Sequence, residues 1–453
     1  MLYQSEKGEI AVALLGDAMP TRRLACFAEE RYLALVDLLR GADAILANLE
    51  GTVRNWDEGT PGITEGTYVT IPPVCLEDLK WMGINLLTCA NNHSFDYGEG
   101  GLMACIAHLD AAGIAHAGSG ANLAEARAPG YLETPNGRVA AVAMTATFKP
   151  WNRAAPQRPD MGGRPGINPL AHATRYTVDG DTFAALRRIS EGLGFERAKE
   201  RDRRHFFGAQ EVPDEAAEEI RLFGQSFVSG DEFAMETRVD QADMADNLRW
   251  IREARRQADW VVVAFHSHEF GGRGLMTARS RAELEELADF TREFAHAAID
   301  AGADVFVGHG SHTLLGVEVY KDRPILYSMG NFIFQNETIS AFPAQAYSRF
   351  DLGMEATPAD FLDARTENDT KGHPASPGFW QGAACICRLR KQGGSELRFY
   401  PIDLGYGRPR SQRGRPLLAD GKLAASVLEN LRRLSGRYGT ELAIDGSVGI
   451  VAL

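Results

Sequence analysis

The chain has 453 residues, 44% of them hydrophobic, enough to bury a large core. Lys+Arg 48 against Asp+Glu 61 leaves a formal net charge of −13, which argues against nucleic acid or an anionic membrane surface as the main partner. No apolar run approaches the roughly 18 residues a membrane helix needs, residues 1–7 read as no signal peptide, and the six cysteines form no Cys-x-x-Cys pair, so a cytoplasmic home without membrane insertion is expected.

Residues 9–15 read as a buried strand ending in Gly16-Asp17. The spacing of Phe27, Tyr32, Leu35, Val36 and Leu39 predicts a helix over 24–40, stopped at Gly41. Residues 44–51 read as a second strand that delivers Asn48 and Glu50 at its end, and 51–70 is loop. After a helix over 75–82, the apolar run 84–87 feeds straight into Asn91-Asn92-His93-Ser94-Phe95-Asp96. Asp96 with Glu99 reads as a capping box for a helix over 99–112. Strands at 114–117 and 138–145 continue the alternation, which implies a largely parallel or mixed sheet with covered faces.

Residues 149–243 break that rhythm and read as an insertion, with a charged helix at 196–204. Arg153, Arg158 and Arg164 are either solvated side chains or the dressing of an anion site. The rhythm returns with a helix over 244–258, a strand over 259–265 ending in His266 and His268, a helix over 281–301, and a strand over 303–307 ending in His309 and His312. A hairpin over 316–320 and 325–327 follows, then a loop-like stretch over 340–377 and an antiparallel pair over 384–390 and 395–404. Cys385 and Cys387 fall on one face of that pair. The expected organisation is one domain over 1–453: a first core half at 8–148, the insertion at 149–243, a second core half at 244–335, and C-terminal loops and strands at 336–453.

Five apolar strands thus end in side chains suited to metal ligation or proton transfer: Asp17; Asn48 with Glu50; Asn92, His93 and Asp96; His266 with His268; His309 with His312. One strand-end histidine is usually structural, but five such ends on neighbouring strands converge on a single crevice. Carboxylate, amide and neutral imidazole together suit Mn, Fe or Zn in open five- to six-coordinate sites, one or two ions, better than a closed thiolate site.

Gly16-Asp17-Ala18-Met19, Ala47-Asn48-Leu49-Glu50, Asn91-Asn92-His93, Gly308-His309-Gly310-Ser311-His312 and Tyr327-Ser328-Met329-Gly330-Asn331-Phe332 resemble the motifs of the CapA (poly-γ-glutamate/capsule synthesis) family, in the right order. That family is similar to the calcineurin-like metallophosphoesterases. The resemblance implies a four-layer α/β sandwich of two mixed sheets between helices, and a hydrolase acting on a phosphoester or a γ-glutamyl or peptide-like bond. It implies Asp17, Glu50, Asn92, His266, His309 and His312 as metal ligands, His93 as general acid with Asp96 orienting it, and Arg22 as a substrate contact alongside Asn48 and His268. Two departures from the metallophosphoesterase pattern are shared with the CapA family: Met19 stands where a ligand histidine is usual, and Glu50 replaces the bridging aspartate. His268 stands where CapA proteins often carry tryptophan, and no membrane tether is visible here.

Two further readings stay open. One is a metal-free acid–base enzyme, such as the peptide epimerases that some CapA-like proteins resemble, using Asp17, His93 and His309. The other is a non-catalytic module that binds anionic polymers or peptides. In every case the expected partner is a small molecule, a peptide or an anionic polymer, selected by residues in the insertion and in 340–377.

Overall fold

The computed structural model describes residues 8–64, 66–205, 219–272, 278, 284–391 and 393–453. Residues 1–7, the first residues of the helix expected over 281–301, and Gln392 lie outside them. The chain folds as two compact units. One comprises Met1–Leu170, Ala242–His268 and Ala295–Leu453; the other comprises Ala171–Gln241 and Glu269–Phe294.

The first unit is a mixed α/β sandwich. Among the described residues its larger sheet has ten strands, with Gln381–Arg390, Glu9–Met19, Ala44–Leu49, Leu86–Thr88 and Ala115–Ala117 side by side. Glu9–Met19 runs parallel to Ala44–Leu49 and to Asn331–Phe334, and antiparallel to Gln381–Arg390. The second sheet has six strands among the described residues, built on Val305–His309, Trp260–His266 and Gly137–Thr145, which are parallel.

Alternation along a strand assigns the layers. Val12 and Leu14 share a buried cluster with Val262, Ala264, Val305 and Val307 of the second sheet. Ala13 and Leu15 instead pack in a cluster with Tyr32, Leu35 and Leu79 of the helices Glu30–Arg40 and Val74–Trp81. The two sheets therefore face each other, with helices on the outer face of the larger one. Truncating a side chain between the sheets, such as Leu14→Ala, is expected to cost about 2–5 kcal/mol.

Register places the site. Asp17 pairs with Asn48 on one side and Asn331 on the other, and Asn48 pairs in turn with Thr88. In the second sheet His266 is level with His309 and Thr145. Parallel strands deliver their carboxyl ends at one level, so both sheets present polar groups at one edge. The register shifts on both sides of Asp17, a bulge that re-aims its side chain. Gly16 permits this: a Cβ there would sit 1.9 Å from the Gly330 carbonyl oxygen.

Several expected elements differ. The helix expected from residue 24 begins at Glu30, because Thr21 and Arg22 give their N–H groups to Gln335 Oε1 at 2.9 and 3.0 Å, and Leu24 gives its own to the Asp78 carboxylate. The capping box expected of Asp96 and Glu99 does not form: the helix Gly98–Ala112 has no side-chain cap bond. The stretch 340–377 is not simply loop, since it carries the helices Ala344–Ser348 and Pro358–Thr366. Thr357 and Asp360 form a capping box with Pro358 in the first turn, a helix start easily read as loop composition. A C-terminal helix, Gly421–Gly436, which the periodicity reading does not flag, buries Val427, Leu428, Leu431 and Leu434 in the inter-sheet cluster.

The second unit carries a four-stranded sheet in the order Glu219–Leu222, Gln225–Ser229, His172–Val178, Ala234–Val239. Val178, Phe183, Ile220 and Leu222 form its small core, and the charged helix expected at 196–204 is present as Phe195–His205. Residues 149–170 of the expected insertion belong to the first unit. Their arginines are committed there: Arg153 pairs with Asp243 at 3.1 Å, Arg158 with Asp160 at 2.9 Å, and Arg164 Nη2 donates to the Arg153 carbonyl at 2.9 Å. No helix among the described residues is long and apolar enough to cross a membrane.

Candidate metal and acid–base site

Asp17 is fully buried at the bulge and is the electrostatic centre of the site. Asn48 Nδ2 donates to its Oδ1 at 2.8 Å, the Gly310 N–H donates to its Oδ2 at 3.0 Å, and His312 Nδ1 lies 3.4 Å from the same oxygen. Gly310 allows the approach, for a Cβ there would meet the His266 ring at 2.9 Å. Burial pushes the Asp17 carboxyl up, but the bond to His312 and the neighbouring His266 and His309 outweigh it and hold the group well below the usual carboxylate range. Burial pushes His266 down to about 3, against the pull of Asp17. At neutral pH Asp17 is therefore an anion and His266 a neutral imidazole, the protonation states a metal ion requires of such ligands.

Two groups of candidate ligands share one carboxylate. Asp17, Glu50 and His266 bring ligand atoms within 4.8 Å of one another, and so do Glu50, His268 and His312. His312 Nε2 is 3.6 Å and His266 Nε2 is 4.0 Å from Glu50 Oε1. Metal–ligand bonds of about 2.0–2.2 Å place neighbouring donors about 3–3.5 Å apart, so small side-chain movements bring these atoms onto an ion. Asn331 Oδ1, 2.9 Å from His312 Nδ1, fixes that ring with Nε2 toward Glu50, the outer-shell support that ligand histidines commonly have. His312 itself adopts a left-handed backbone, φ 60°.

The remaining expected residues fall as follows. Asn92 Oδ1 lies 2.9 Å from His266 Nε2, on the edge of the first group. Asn48 is a connector: it bonds Asp17, stands 3.2 Å from His266 Nδ1, and accepts from Thr88 and Asn91. His309 is in neither group, and its Nε2 contacts the Leu15 carbonyl at 3.0 Å. His268, expected as a substrate contact, is a member of the second group. Arg22 points elsewhere, its Nη1 donating to the Ser411 carbonyl at 3.0 Å.

His93 and Asp96 form a separate buried pair. His93 Nδ1 is 2.7 Å from Asp96 Oδ2, which also accepts the Val69 N–H at 2.8 Å. Burial pushes the Asp96 carboxyl up, with His93 opposing. Thr52 Oγ1 donates to the His93 carbonyl at 3.0 Å, and the His93 N–H donates to Asn91 Oδ1 at 3.1 Å. With Nδ1 engaged, Nε2 is the nitrogen left to exchange a proton with a ligand.

Sequence reasoning passed over three residues. Asn91 ties the His93 turn to the neighbouring strand end, donating to the Leu49 carbonyl at 2.8 Å. Asn331 was visible as the end of Ser328-Met329-Gly330-Asn331 but without a role. His373, 6.0 Å ring to ring from His312, sits in 340–377, where no strand end marked it.

The family described as "Bacterial capsule synthesis protein PGA_cap" matches residues 11–336. An uncharacterized protein of Sinorhizobium fredii (strain NBRC 101917 / NGR234), y4sH, is 34% identical over 454 residues, covering 97% of this chain and 92% of its own. The PGA biosynthesis protein CapA of Bacillus subtilis (strain 168) is 37% identical over 119 residues, 25% of this chain and 28% of that one. The probable polyglutamine synthesis accessory protein Rv0574c of Mycobacterium tuberculosis (strain ATCC 25618 / H37Rv) is 25% identical over 306 residues, 66% of this chain and 57% of its own.

Proposed function

The chain belongs to the bacterial capsule synthesis PGA_cap family, and from that premise we propose that it is a metal-dependent hydrolase of a phosphoester or a γ-glutamyl or peptide-like bond on a four-layer, metallophosphatase-like sandwich. One observation carries the reading: Glu50 is common to the Asp17–Glu50–His266 and Glu50–His268–His312 groups, so one carboxylate would serve both ligand sets.

The donor set of carboxylates, imidazoles and an amide fits a divalent ion of the Mn, Fe or Zn kind. Asp17, Glu50, His266, His268 and His312 would hold it, with Asn92 adjoining. Such an ion supplies Lewis-acid polarisation and lowers the pKa of a bound water. The chain's own residues do the rest. Asn48 and the Gly310 N–H fix the Asp17 carboxylate, Asn331 fixes the His312 ring, and Asp96 orients His93 so that Nε2–H can protonate the leaving group. A peptide or anionic polymer is the substrate class this reading favours.

The metal-free acid–base reading uses the same His93–Asp96 pair, but its other members suit it less. Asp17, held well below the usual carboxylate range, is a weak base. His309 has Nε2 committed to the Leu15 carbonyl. The test is turnover of a phosphodiester and of a γ-glutamyl peptide by chelator-treated protein before and after metal is restored. Activity that appears only with metal supports the hydrolase; activity equal in both states overturns it.

A further inference from the structure

A cavity of about 80 Å³ opens beside the site, lined by Asn336, Glu337, Arg365, Lys371, Gly372 and His373. Since about 10–15 Å³ suffices for a water, it has room for a carboxylate or phosphate group. Two of its wall residues reach toward the site. His373, in its wall, is 6.0 Å ring to ring from His312. Arg365 Nη1 donates to Thr67 Oγ1, two residues from the Val69 N–H that holds Asp96.

Among the described residues the charges around the cavity close on themselves and leave Arg365 over. Arg413 takes Glu337 and one oxygen of Asp369, Arg410 takes the other oxygen of Asp369 together with Asp363, and Lys371 takes Glu367. Arg365 forms no ion pair among the described residues; its single side-chain hydrogen bond goes to the neutral Thr67 hydroxyl. Burial and the nearby Arg349 both push its guanidinium pKa down, as expected of a cation lacking a counter-charge. It lies in the last turn of Pro358–Thr366, where the helix end carries only about half a negative charge. The Asn336 side chain on the same wall is 5% exposed, and its Oδ1 has no hydrogen-bond partner. A half-turn of that carboxamide presents Nδ2–H donors instead. The turn after Arg365 is strained, with Glu367, Asn368 and Asp369 all left-handed at φ 46, 57 and 66°, and such strain gathers at ligand clamps.

We propose that this cavity is an oxyanion subsite, in which the Arg365 fork and the Asn336 amide take a carboxylate or phosphate group of the substrate. Its assignment to the substrate rests on the hydrolase reading; the binding itself does not. A guanidinium fork matches either anion with two parallel bonds, which an ammonium cannot reproduce.

The experiment is calorimetric titration of the full chain in the presence of a chelator, with γ-glutamylglutamate, its neutral amide and inorganic phosphate as probes. Wild type should bind at least one of the anions and not the amide. Arg365→Met should weaken that binding by about 10- to 100-fold, with Arg365→Lys between, as loss of charge-assisted bonds implies. Arg365→Met should melt no lower than wild type, since it removes an uncompensated charge, so a folding defect is told apart from lost recognition. Binding of the dipeptide assigns the subsite to a glutamyl chain, and binding of phosphate alone assigns it to a phosphoester. Failure of both anions to bind, or equal binding by Arg365→Met, overturns the proposal. Because no metal is present, anion binding without metal-dependent turnover would retain the subsite and remove the hydrolase.

Discussion

His93 Nδ1 stands 2.7 Å from Asp96 Oδ2, with both side chains buried and the carboxylate oxygen also bound to the Val69 N–H at 2.8 Å. The pair stands outside both candidate ligand groups. In the proposed mechanism metal binding and proton transfer would therefore be separable by mutation.

His93→Ala is expected to lower kcat by about 10²–10⁴-fold, the range for a positioned general acid, with metal content unchanged. Asp96→Asn should give a smaller loss in the same parameter, because it removes the orienting charge and leaves the imidazole. Steady-state kinetics with elemental analysis of the same preparations checks both. A His93→Ala protein that loses its metal would make His93 a ligand instead.

The two groups predict loss at different positions, with one ion retained in each variant. His266→Ala should lose the ion held by Asp17 and Glu50 and keep the other, whereas His268→Ala should do the reverse. Metal-to-protein ratios after dialysis, read beside an anomalous-scattering map, distinguish the cases. Equal, complete loss in both variants would mean a single ion.

His309 is expected to matter for folding more than for metal. Its Nε2 contacts the buried Leu15 carbonyl at 3.0 Å, and leaving that acceptor unpaired costs about 1–3 kcal/mol. Urea unfolding of metal-free His309→Ala should show that loss, with metal affinity reduced less than in His266→Ala. The opposite order would move His309 into the ligand set.

Stability of the metal-free protein should fall as pH drops below about 6.5. His266 is held down to about 3 and Asp17 below the usual carboxylate range, so the unfolded chain binds protons that the folded one refuses. The contribution of His266 is complete above its unfolded pKa of about 6.5 and is lost as pH falls toward 3. Asp17 contributes the same sign at lower pH, below about 4. Urea midpoints at pH 7.5, 5.5 and 4.5 should decline, and His266→Gln should flatten the first part of that decline. A midpoint independent of pH would contradict the burial of a neutral His266.

The strands that build the site were legible because each is a short apolar run ending abruptly in polar residues, as at Phe265-His266 and Leu49-Glu50. Their convergence was expected from parallel pairing, and in the structure Asp17 is in register with Asn48 and His266 with His309. What stayed hidden depends on side-chain direction. The bulge at Asp17 and the left-handed backbone of His312 have no periodicity to announce them. Nor could spacing tell that Asp96 would serve His93 and Val69 rather than cap the helix, since its two uses compete for one carboxylate. Arg365 and His373 escaped because Pro358 and its neighbours read as loop while forming a capped helix start.

The shared carboxylate is the centre of the account, and elemental analysis of protein purified without chelator tests it most directly, run on wild type and Glu50→Gln together. Stoichiometric divalent metal in wild type, absent from Glu50→Gln along with turnover, is the predicted result. Wild-type protein that carries no metal, takes none up and still turns over substrate would contradict it.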